Sequence, residues 1–458
     1  MNHVADLTSY QILLQYCLNE YASLPCMSSA AESLSYAGWI ERVRQIATEL
    51  RKMPQRYVVL RVSSPITYAA AYFGIVLAGK IACLLPPNQD IPGSLKDAYW
   101  ATDEVVAMFC SCNPLPLDDF HTDDSNEPCT IAFSSGTSAQ PKGVVLSQAN
   151  LLQNAQYGMR QYRYWVGERL VHLLPYWHLF GIVADLLAPL QAGCSLYMVE
   201  NTLEYFSALR TFRPHSVNVP PALADTICRA IESINNPLPI TGGCLVKMMC
   251  AGAPLSIQTT HKMLKYNIKV CAAYGLTECS PCVSLTSDDD VRPGTSGKPL
   301  GCVEVRIADD GEILVRGSTI MAGYLGDADA TKERIRNGWL YTGDLGYLDE
   351  MGHLVISGRK SSMLVFSNGI KCIPEAVEGQ IVASDSGVDE CLLSVSDGAK
   401  YAVLEIFCQG EKEINRTDID SIMRQHDLIP YELVIRKEKL ERNAMGKVVR
   451  ANDNTGIS

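Results

Sequence analysis

Hydrophobic and polar positions in the first 200 residues follow two alternating patterns. After Ser35, a residue suited to cap a helix, apolar side chains recur at helical spacing. Those on the predicted buried face are Ile40, Val43, Ile46, Ala47 and Leu50. Short apolar runs at residues 57–62, 81–85 and 170–174 predict strands, and apolar helical segments at 69–78 and 183–190 alternate with them. This alternation is typical of mostly parallel sheets covered by helices, so we expect an α/β fold.

Beyond Gly358 the pattern becomes that of a smaller mixed unit. A strand at 363–366 turns at Asn368-Gly369, and Pro374 opens a helix. Two further strands follow at 391–395 and 403–407. The polar segment 358–361 lies between two predicted strands. We therefore predict a large N-terminal domain of mostly parallel sheets covered by helices, residues 1–358, and a small α+β C-terminal domain, residues 359–458.

Composition agrees with a protein of more than one domain. The chain has 458 residues, of which 47% are hydrophobic. This length exceeds what one hydrophobic core usually serves. Its 39 Lys and Arg residues against 50 Asp and Glu residues give a net charge of -11, without a long run of one sign. This balance argues against a protein that binds the nucleic-acid backbone.

Cysteine usage and the absence of a signal-peptide pattern predict a cytoplasmic protein. Most of the 17 cysteines stand singly in apolar stretches, as reduced buried thiols do. The pairs Cys110/Cys112 and Cys279/Cys282 lack further ligands at zinc spacing. The N-terminus shows no signal-peptide pattern. Residues 69–85 are interrupted by Lys80, so we expect a buried helix and strand instead of a transmembrane segment, which needs about 20 apolar residues.

A loop rich in hydroxyl side chains separates two predicted strands, residues 130–133 and 144–146. The loop, residues 134–143, reads Ser-Ser-Gly-Thr-Ser-Ala-Gln-Pro-Lys-Gly. Backbone N–H groups and hydroxyls of such a loop can surround phosphate oxygens, and Lys142 adds a positive charge. It differs from a Walker A loop because it lacks the Gly-Lys-Ser/Thr ending and leads into a strand. Alone, a loop of this kind is more often a flexible connection.

With its neighbours, this loop resembles the adenylate-forming superfamily of acyl-CoA synthetases, nonribosomal-peptide adenylation domains and luciferases. The resemblance extends over nearly the whole chain. The motifs occur in the family's order and comprise residues 71–79, the loop 134–143, Leu174 to Gly181, Ala251 to Pro254, Tyr274 to Glu278, Gly311 to Gly323, Tyr341 to Asp344, Gly358-Arg359, Asn368-Gly369 and Asn443 to Lys447.

The resemblance implies a nucleotide site for ATP and Mg²⁺. The residues implied in nucleotide binding are Ser134, Ser135, Gly136, Thr137, Ser138, Lys142, Gly252, Ala253, Pro254, Ala273, Tyr274, Gly275, Asp344 and Arg359. Within this set, Tyr274 offers a face for adenine and Asp344 accepts bonds from the ribose. Thr277 is implied to touch phosphate, and Glu278 and Thr137 to hold the metal, because hard oxygen donors suit Mg²⁺.

The resemblance also implies a mobile small domain that carries catalysis. Lys447 is implied to stabilise the charge that spreads over the α-phosphate oxygens during attack by the carboxylate. Asn368 and Gly369 are implied to line the thiol channel after rotation about a hinge at Ser361. Three residues depart from the family's pattern, namely Ala139 in the loop, Ser361 at the hinge and Glu441 ahead of the C-terminal motif.

The acyl pocket is expected near Trp177, His178, Phe180, Gly181, Gly252 and Gly275. His178 either borders this pocket with a catalytic role or is a packed, hydrogen-bonded core histidine. By counting back from Gly193, Phe180 occupies the position where relatives that activate amino acids have an aspartate for the substrate amine. An apolar residue cannot pair with an ammonium group, so the resemblance favours an amine-free acid, such as a fatty or aryl acid.

The predicted function is ATP-dependent activation of a carboxylic acid to acyl-AMP, followed by transfer to a thiol. Coenzyme A is the first choice of thiol, and the phosphopantetheine arm of an acyl or peptidyl carrier protein is the alternative. A non-catalytic protein that only binds nucleotide and acyl groups is an alternative of another class. Oxidation of the adenylate, as in luciferases, is a third option. No nucleic acid and no transmembrane segment are expected.

Overall fold

The computed structural model describes residues 7–86, 89–90, 92–120, 125–133, 141–384, 386–407, 414–437 and 440. The α-helices are α1 (Tyr10–Tyr21), α2 (Tyr36–Arg51), α3 (Pro65–Leu77), α4 (Asp103–Phe109), α5 (Gln148–Tyr162), α6 (Leu179–Ile182), α7 (Ala188–Gln191), α8 (Thr202–Thr211), α9 (Pro221–Ile234), α10 (Leu238–Thr241), α11 (Ile257–Leu264), α12 (Ala328–Arg334), α13 (Pro374–Ala383) and α14 (Arg416–Gln425).

The strands of the large N-terminal part are β1 (Pro25–Ser28), β2 (Ser33–Ser35), β3 (Tyr57–Arg61), β4 (Ile81–Leu84), β5 (Tyr99–Thr102), β6 (Pro128–Phe133), β7 (Gly143–Ser147), β8 (Arg169–His172), β9 (Ser195–Met198), β10 (Ser216–Val219), β11 (Lys247–Cys250), β12 (Lys269–Gly275), β13 (Cys282–Leu285), β14 (Lys298–Pro299), β15 (Val303–Ile307), β16 (Glu312–Gly317), β17 (Gly323–Tyr324), β18 (Ile335–Arg336), β19 (Trp339–Leu348) and β20 (Leu354–Arg359). Those that follow are β21 (Leu364–Val365), β22 (Lys371–Cys372), β23 (Glu390–Val395), β24 (Ala402–Phe407) and β25 (Tyr431–Arg436).

Two sheets with parallel centres form the body of the large N-terminal part. The longer one has the strand order β14-β13-β12-β11-β10-β8-β9-β1-β2 and is parallel from β12 to β1. The second has the order β17-β7-β6-β4-β3-β5 and is parallel from β6 to β5. Helices α2, α3 and α5 contribute buried apolar residues to the main core. The predicted α/β fold with mostly parallel sheets is confirmed.

Local signals account for the elements next to these sheets. Ser35 caps α2 by accepting a hydrogen bond from the Gly38 N–H, as the sequence predicted. Helix α3 begins earlier than predicted because Ser64 caps it and Pro65 occupies its first turn. Strand β4 is buried throughout, and so is α3 apart from Thr67. Within the described residues, no helix is long and apolar enough to span a membrane.

The apolar helix predicted at 183–190 is longer and less regular than expected. It begins with α6, continues through the π-helical turn Val183–Leu187 and ends with α7. A π-turn widens the helix by one residue, and such turns are often found at functional sites. The irregularity is not visible in the hydrophobic pattern, because the segment is apolar apart from Asp185 and an apolar run contains no signal for one extra residue in a turn.

A third sheet of antiparallel strands, β15-β16-β19-β18 with β20 beside β19, follows the two larger sheets. The C-terminal part beyond β20 has its own hydrophobic cluster between Leu364 and Leu433, built from the β23-β24-β25 sheet and helices α13 and α14. The chain is thus a large α/β part followed by a small α+β part. Every cysteine in the described ranges is a free thiol, and most are buried.

The amino ends of the central parallel strands enclose a buried ion pair. Lys247, the first residue of β11, is 1% exposed and its Nζ lies 3.4 Å from Glu168 Oε1, which is fully buried before β8. The same ammonium group donates to the carbonyl oxygens of Tyr162 and Arg163 and lies 4.2 Å from the centre of the Tyr162 ring. Burial raises the pKa of the Glu168 carboxyl to about 7, while Lys247 counteracts the shift.

We expect Lys247→Met to lower the free energy of unfolding by about 3–5 kcal/mol where Glu168 is ionised, because a buried carboxylate then lacks its cation. The folded-state pKa of Glu168 lies above its unfolded value, so the stability that protonated Glu168 contributes is lost as pH rises through about 7. Above that pH the ionised carboxylate depends on Lys247. The loss should be larger near pH 8 than near pH 5.5, as measured by urea denaturation at both values.

The double variant Lys247→Met/Glu168→Gln is the control, since it removes both charges. It should recover much of the lost stability and show little difference between the two pH values. A loss in the single variant that is the same at both pH values would contradict the role assigned to the pair.

Candidate active site

A cleft of about 2870 Å³ lies where the carboxyl ends of the central parallel strands meet the antiparallel sheet and the small C-terminal part. Ligands commonly bind at this edge of an open α/β sheet. The predicted site residues that line it are Lys142, His178, Phe180, Gly252, Ala253, Pro254, Ala273, Tyr274, Gly275, Thr277, Glu278, Asp344, Arg359 and Ser361. Residues more than 200 positions apart in sequence therefore share one cleft.

Asp344 connects three parts of the structure within this cleft. Its carboxylate, 3% exposed on β19, accepts a hydrogen bond of 2.7 Å from Tyr274 Oη on β12. Arg359 Nε, on the paired position of β20, lies 2.9 Å from the other carboxylate oxygen. Burial and the neighbouring carboxylate raise the pKa of Tyr274, so its hydroxyl stays a donor. An acceptor for sugar hydroxyls is thus held beside an aromatic face.

Glu278 lies in the short helical turn Thr277–Cys279 that follows β12. Its carboxylate is buried, and Tyr324 donates a hydrogen bond of 2.7 Å to Oε1. The ammonium group of Lys142 lies 5.1 Å from the centre of the Tyr324 ring and 3.7 Å from Asp327. Lys142, the end of the predicted phosphate loop, is thereby placed next to the Glu278 carboxylate network.

Arg334, at the end of α12, is a site residue that the sequence analysis missed. Its Nη2 donates to the Thr342 carbonyl oxygen at 2.9 Å and lies 3.9 Å from Glu278 Oε1. Its Nε is buried and has no hydrogen-bond partner among the residues described. A guanidinium group with spare donors in a cleft is suited to phosphate. The sequence offers no signal for it, because Arg334 ends a charged helical run typical of an exposed face.

The oxygen donors around Glu278 fit a divalent cation that takes most of its ligands from water and from substrate phosphates. In the described ranges, no group of three or more His, Cys, Asp or Glu side chains could hold a metal ion. Mg²⁺ in nucleotide sites is usually bound by one or two carboxylates, water and substrate phosphates. Glu278, with the adjacent hydroxyl of Thr277, supplies that kind of partial site.

The predicted acyl-pocket residues fall into two groups. His178 and Phe180 line the cleft, and His178 Nδ1 accepts a hydrogen bond of 3.3 Å from the Phe180 N–H at the start of α6. Trp177 packs against the main core instead. A Cβ on Gly181 would stand 2.6 Å from the Pro175 carbonyl oxygen, so this glycine permits close backbone packing.

Gly252 and Gly275 also differ from each other. A Cβ on Gly275 would collide with the backbone at Pro281, so Gly275 too serves close packing at the edge of the cleft. Gly252 has φ +89° and open space where a side chain would stand. Among the three predicted pocket glycines, Gly252 is therefore the one whose missing side chain leaves room in the cleft.

The small C-terminal part is joined to the body next to the cleft. Ser361 lies in the short turn Lys360–Ser362, and Lys360 Nζ is 2.6 Å from Asp310 and 2.9 Å from Glu312 on the antiparallel sheet. Asn368 and Gly369 form the turn between β21 and β22 and do not line the cleft. The predicted phosphate-loop residues Ser134, Ser135, Gly136, Thr137, Ser138 and Ala139, and the C-terminal residues Glu441 and Lys447, lie outside the described residues.

The fold and the cleft define a nucleotide-binding enzyme of the adenylate-forming class, and comparison with known proteins agrees. Residues 91–325, about half of the chain, match the family model described as AMP-binding enzyme. The chain belongs to this family. The predicted membership of the adenylate-forming superfamily is confirmed.

Relatives of known activity are similar over most of their length. The chain is 28% identical over 418 residues to a 3-[(3aS,4S,7aS)-7a-methyl-1,5-dioxo-octahydro-1H-inden-4-yl]propanoyl:CoA ligase of Mycobacterium tuberculosis, covering 85% of this chain and 78% of the relative. It is 26% identical over 448 residues to a 2-succinylbenzoate–CoA ligase of Bacillus mycoides, covering 92% and 90%.

Solved structures share the fold. ATP-bound MatB from Rhodopseudomonas palustris superposes with a TM-score of 0.83 at 20% identity, over 96% of this chain and 97% of that one. The anthranilate CoA ligase AuaEII in complex with anthranoyl-AMP superposes with a TM-score of 0.80 at 19% identity, over 96% and 95%. At these identities the likeness concerns the fold.

We expect Asp344→Asn to raise the KM for ATP about tenfold or more, because the neutral amide loses the ion pair with Arg359 and the charged acceptor in the cleft. Steady-state pyrophosphate release at varied ATP concentration measures the effect.

Asp349→Asn is the matched control on the same β19–β20 hairpin. Asp349 lies outside the cleft and accepts backbone N–H bonds from Met351 and His353, which an asparagine oxygen also accepts. It should leave the KM for ATP unchanged. Equal effects of the two substitutions would argue against a nucleotide contact by Asp344.

Proposed function

We propose that this protein is an AMP-forming acid–thiol ligase that makes acyl-coenzyme A. In the first half-reaction, the carboxylate of the acid attacks the α-phosphate of ATP, the bond to pyrophosphate breaks, and acyl-AMP forms. In the second, a thiolate attacks the acyl carbon, AMP leaves, and a thioester forms. The observation that carries this proposal is the joint placement of Asp344, Tyr274 and Glu278 in one cleft, since together they suit ribose, adenine and phosphate with its cation.

Positioning and electrostatics supply most of the catalysis expected in phosphoryl chemistry of this kind. Tyr274 and Asp344 would hold the nucleoside, while Lys142 and Arg334 would face the phosphates. Glu278 would hold Mg²⁺, which neutralises phosphate charge when bound. The loop residues Ser134 to Ser138, including Thr137 as a metal ligand, complete the proposed phosphate site.

The proposed acid lacks an amine. Phe180, which lines the cleft, is 7% exposed and offers no charge to an ammonium group. Asp225 also lines the cleft and carries a negative charge. One of its carboxylate oxygens, Oδ1, already accepts a hydrogen bond of 2.5 Å from the Thr259 hydroxyl. The two ligases reported above as relatives in sequence act, by their names, on a succinylbenzoate and on an indenyl propanoate, which are amine-free acids.

Coenzyme A is the proposed acceptor, because the named relatives are CoA ligases. A carrier protein is the alternative acceptor. We further propose that residues 359–458 form a domain that turns about Ser361 and brings Asn368 and Gly369 to the thiol channel. A cytoplasmic location is supported by the free, mostly buried cysteines in the described ranges.

A panel of fatty, aryl and amino acids tests the function through pyrophosphate release and hydroxylamine trapping of the adenylate. We expect release with amine-free acids, little with amino acids, and thioester formation on addition of coenzyme A. Thioester formed only with a carrier protein would replace the proposed acceptor. No release with any acid would favour a non-catalytic binding protein.

Lys447→Ala should abolish adenylation and retain conversion of supplied acyl-AMP to thioester, because an ammonium group at the α-phosphate stabilises only the first transition state. The two half-reactions are measured separately, by pyrophosphate release and by thioester formation from synthetic acyl-AMP. Lys400→Ala, an exposed lysine elsewhere in the C-terminal part, is the control and should retain both. Equal loss of both half-reactions in Lys447→Ala would contradict this division of labour.

A further inference from the structure

A buried polar network lies directly behind the part of the cleft that Phe180 lines. Asp185 belongs to the π-helical turn Val183–Leu187 and is 2% exposed. Its Oδ2 lies 2.5 Å from Nδ1 of His172, the fully buried last residue of β8. Its Oδ1 accepts a 2.5 Å hydrogen bond from Nδ2 of Asn218, which is fully buried on the adjacent strand β10. Two neighbouring strands thus hold one carboxylate.

The same network also holds the backbone of the turn. Asn218 Nδ2 donates to the Ala184 carbonyl oxygen at 2.9 Å and lies 3.0 Å from Tyr164 Oη. The Tyr164 hydroxyl lies 3.4 Å from the same carbonyl oxygen. A π-turn departs from the hydrogen-bond pattern of a regular α-helix. The side-chain donors at the Ala184 carbonyl oxygen therefore stabilise the π-turn relative to a regular helix.

The turn that is held in this way is a wall of the cleft. Val183 and Ala184 line the cleft together with Phe180, while Leu186 and Leu187 are fully buried in the main core. A change of one residue in the helical register would rotate the side chains that follow it by about 100° around the helix axis and move them away from their present faces. The position of the wall therefore depends on the π-turn, and Asp185 connects that turn to β8 and β10 through His172 and Asn218.

We propose that Asp185, held by His172 and Asn218, is a positioning residue that sets the shape of the acyl pocket. This inference rests on the proposed function for its substrate, since it assigns the wall formed by Phe180, Val183 and Ala184 to the acid. Asp185 is held by β8 and β10, whereas the proposed nucleotide contacts Asp344 and Glu278 lie on β19 and in the turn after β12. Its substitution should change selection of the acid and leave ATP binding intact.

The matched control is another buried carboxylate next to the same sheet. Glu168 is fully buried beside Lys247 at the amino ends of the strands, away from the cleft. Glu168→Gln removes a buried carboxylate from its partner, as Asp185→Ala does, and both should lower thermal stability. Asp185→Asn is the conservative variant, because its amide oxygen still accepts from Asn218 and its amide N–H can donate to His172 Nδ1.

The experiment measures pyrophosphate release by the three variants and the wild type, first at varied concentrations of an acid and then at varied concentrations of ATP. We expect Asp185→Ala to raise the KM for the acid about tenfold or more, the size of effect that misplaced binding groups produce, with the KM for ATP within about twofold of the wild type. Asp185→Asn should recover most of the acid KM, and Glu168→Gln should leave both KM values unchanged. Equal shifts in both KM values, or the same acid effect in Glu168→Gln, would overturn the proposal.

Hydrogen exchange gives a readout that does not require the proposed function. The backbone amides of residues 179–188 should exchange faster in Asp185→Ala than in the wild type and Glu168→Gln. Unchanged exchange there would overturn the positioning role, even if the acid KM rose. If the wild type releases no pyrophosphate with any acid of the panel, the proposed function fails. The exchange measurement alone then decides whether Asp185 holds the wall.

Discussion

The site depends on one buried carboxylate that three separate elements meet. Asp344 accepts from Tyr274 on the longest sheet and pairs with Arg359 at the last position of β20. A carboxylate that is 3% exposed is stable only with charged or hydrogen-bonding partners, so its environment requires both contacts. The interaction therefore ties the large sheet to the antiparallel sheet. It also places the start of the small C-terminal part beside the cleft, since Arg359 directly precedes the turn Lys360–Ser362.

Much of this arrangement could be predicted from the sequence, because local patterns carry it. The cap at Ser35, the alternation of strand and helix, and the strand after Lys142 all follow from hydrophobic period and turn chemistry, and the structure contains them. The positions of Tyr274, Glu278 and Asp344 came from ordered motifs that resemble a family. Motifs of this kind identify residues that touch a common ligand, and those residues line one cleft.

What could not be predicted depends on pairing across the fold. Arg334 has no motif, and its role follows only from its distances to Thr342 and Glu278. The close packing of Gly181 and Gly275 was likewise hidden, because a glycine in sequence gives no sign of whether space or backbone lies beside it. The π-turn at Asp185 was hidden for another reason. An apolar helical pattern contains no signal for one extra residue in a turn. The partners of Asp185, His172 and Asn218, lie on β8 and β10, and the local sequence does not show that they meet it.

Two buried polar networks lie at opposite ends of the same parallel strands, and their proposed roles separate stability from selection of the acid. At the amino ends, Lys247 and Glu168 form an ion pair among aromatic rings and are not among the described residues that line the cleft. At the carboxyl ends, Asp185 and its partners hold a turn whose other face lines the cleft. Buried polar groups restrict a structure to arrangements that satisfy them, because a lost partner leaves an uncompensated group. Placed behind a pocket wall, that restriction acts on the shape offered to the acid, whereas the nucleotide contacts are held by a different set of strands. One scaffold can thus keep its reaction while the acid that it accepts changes with the residues of one turn.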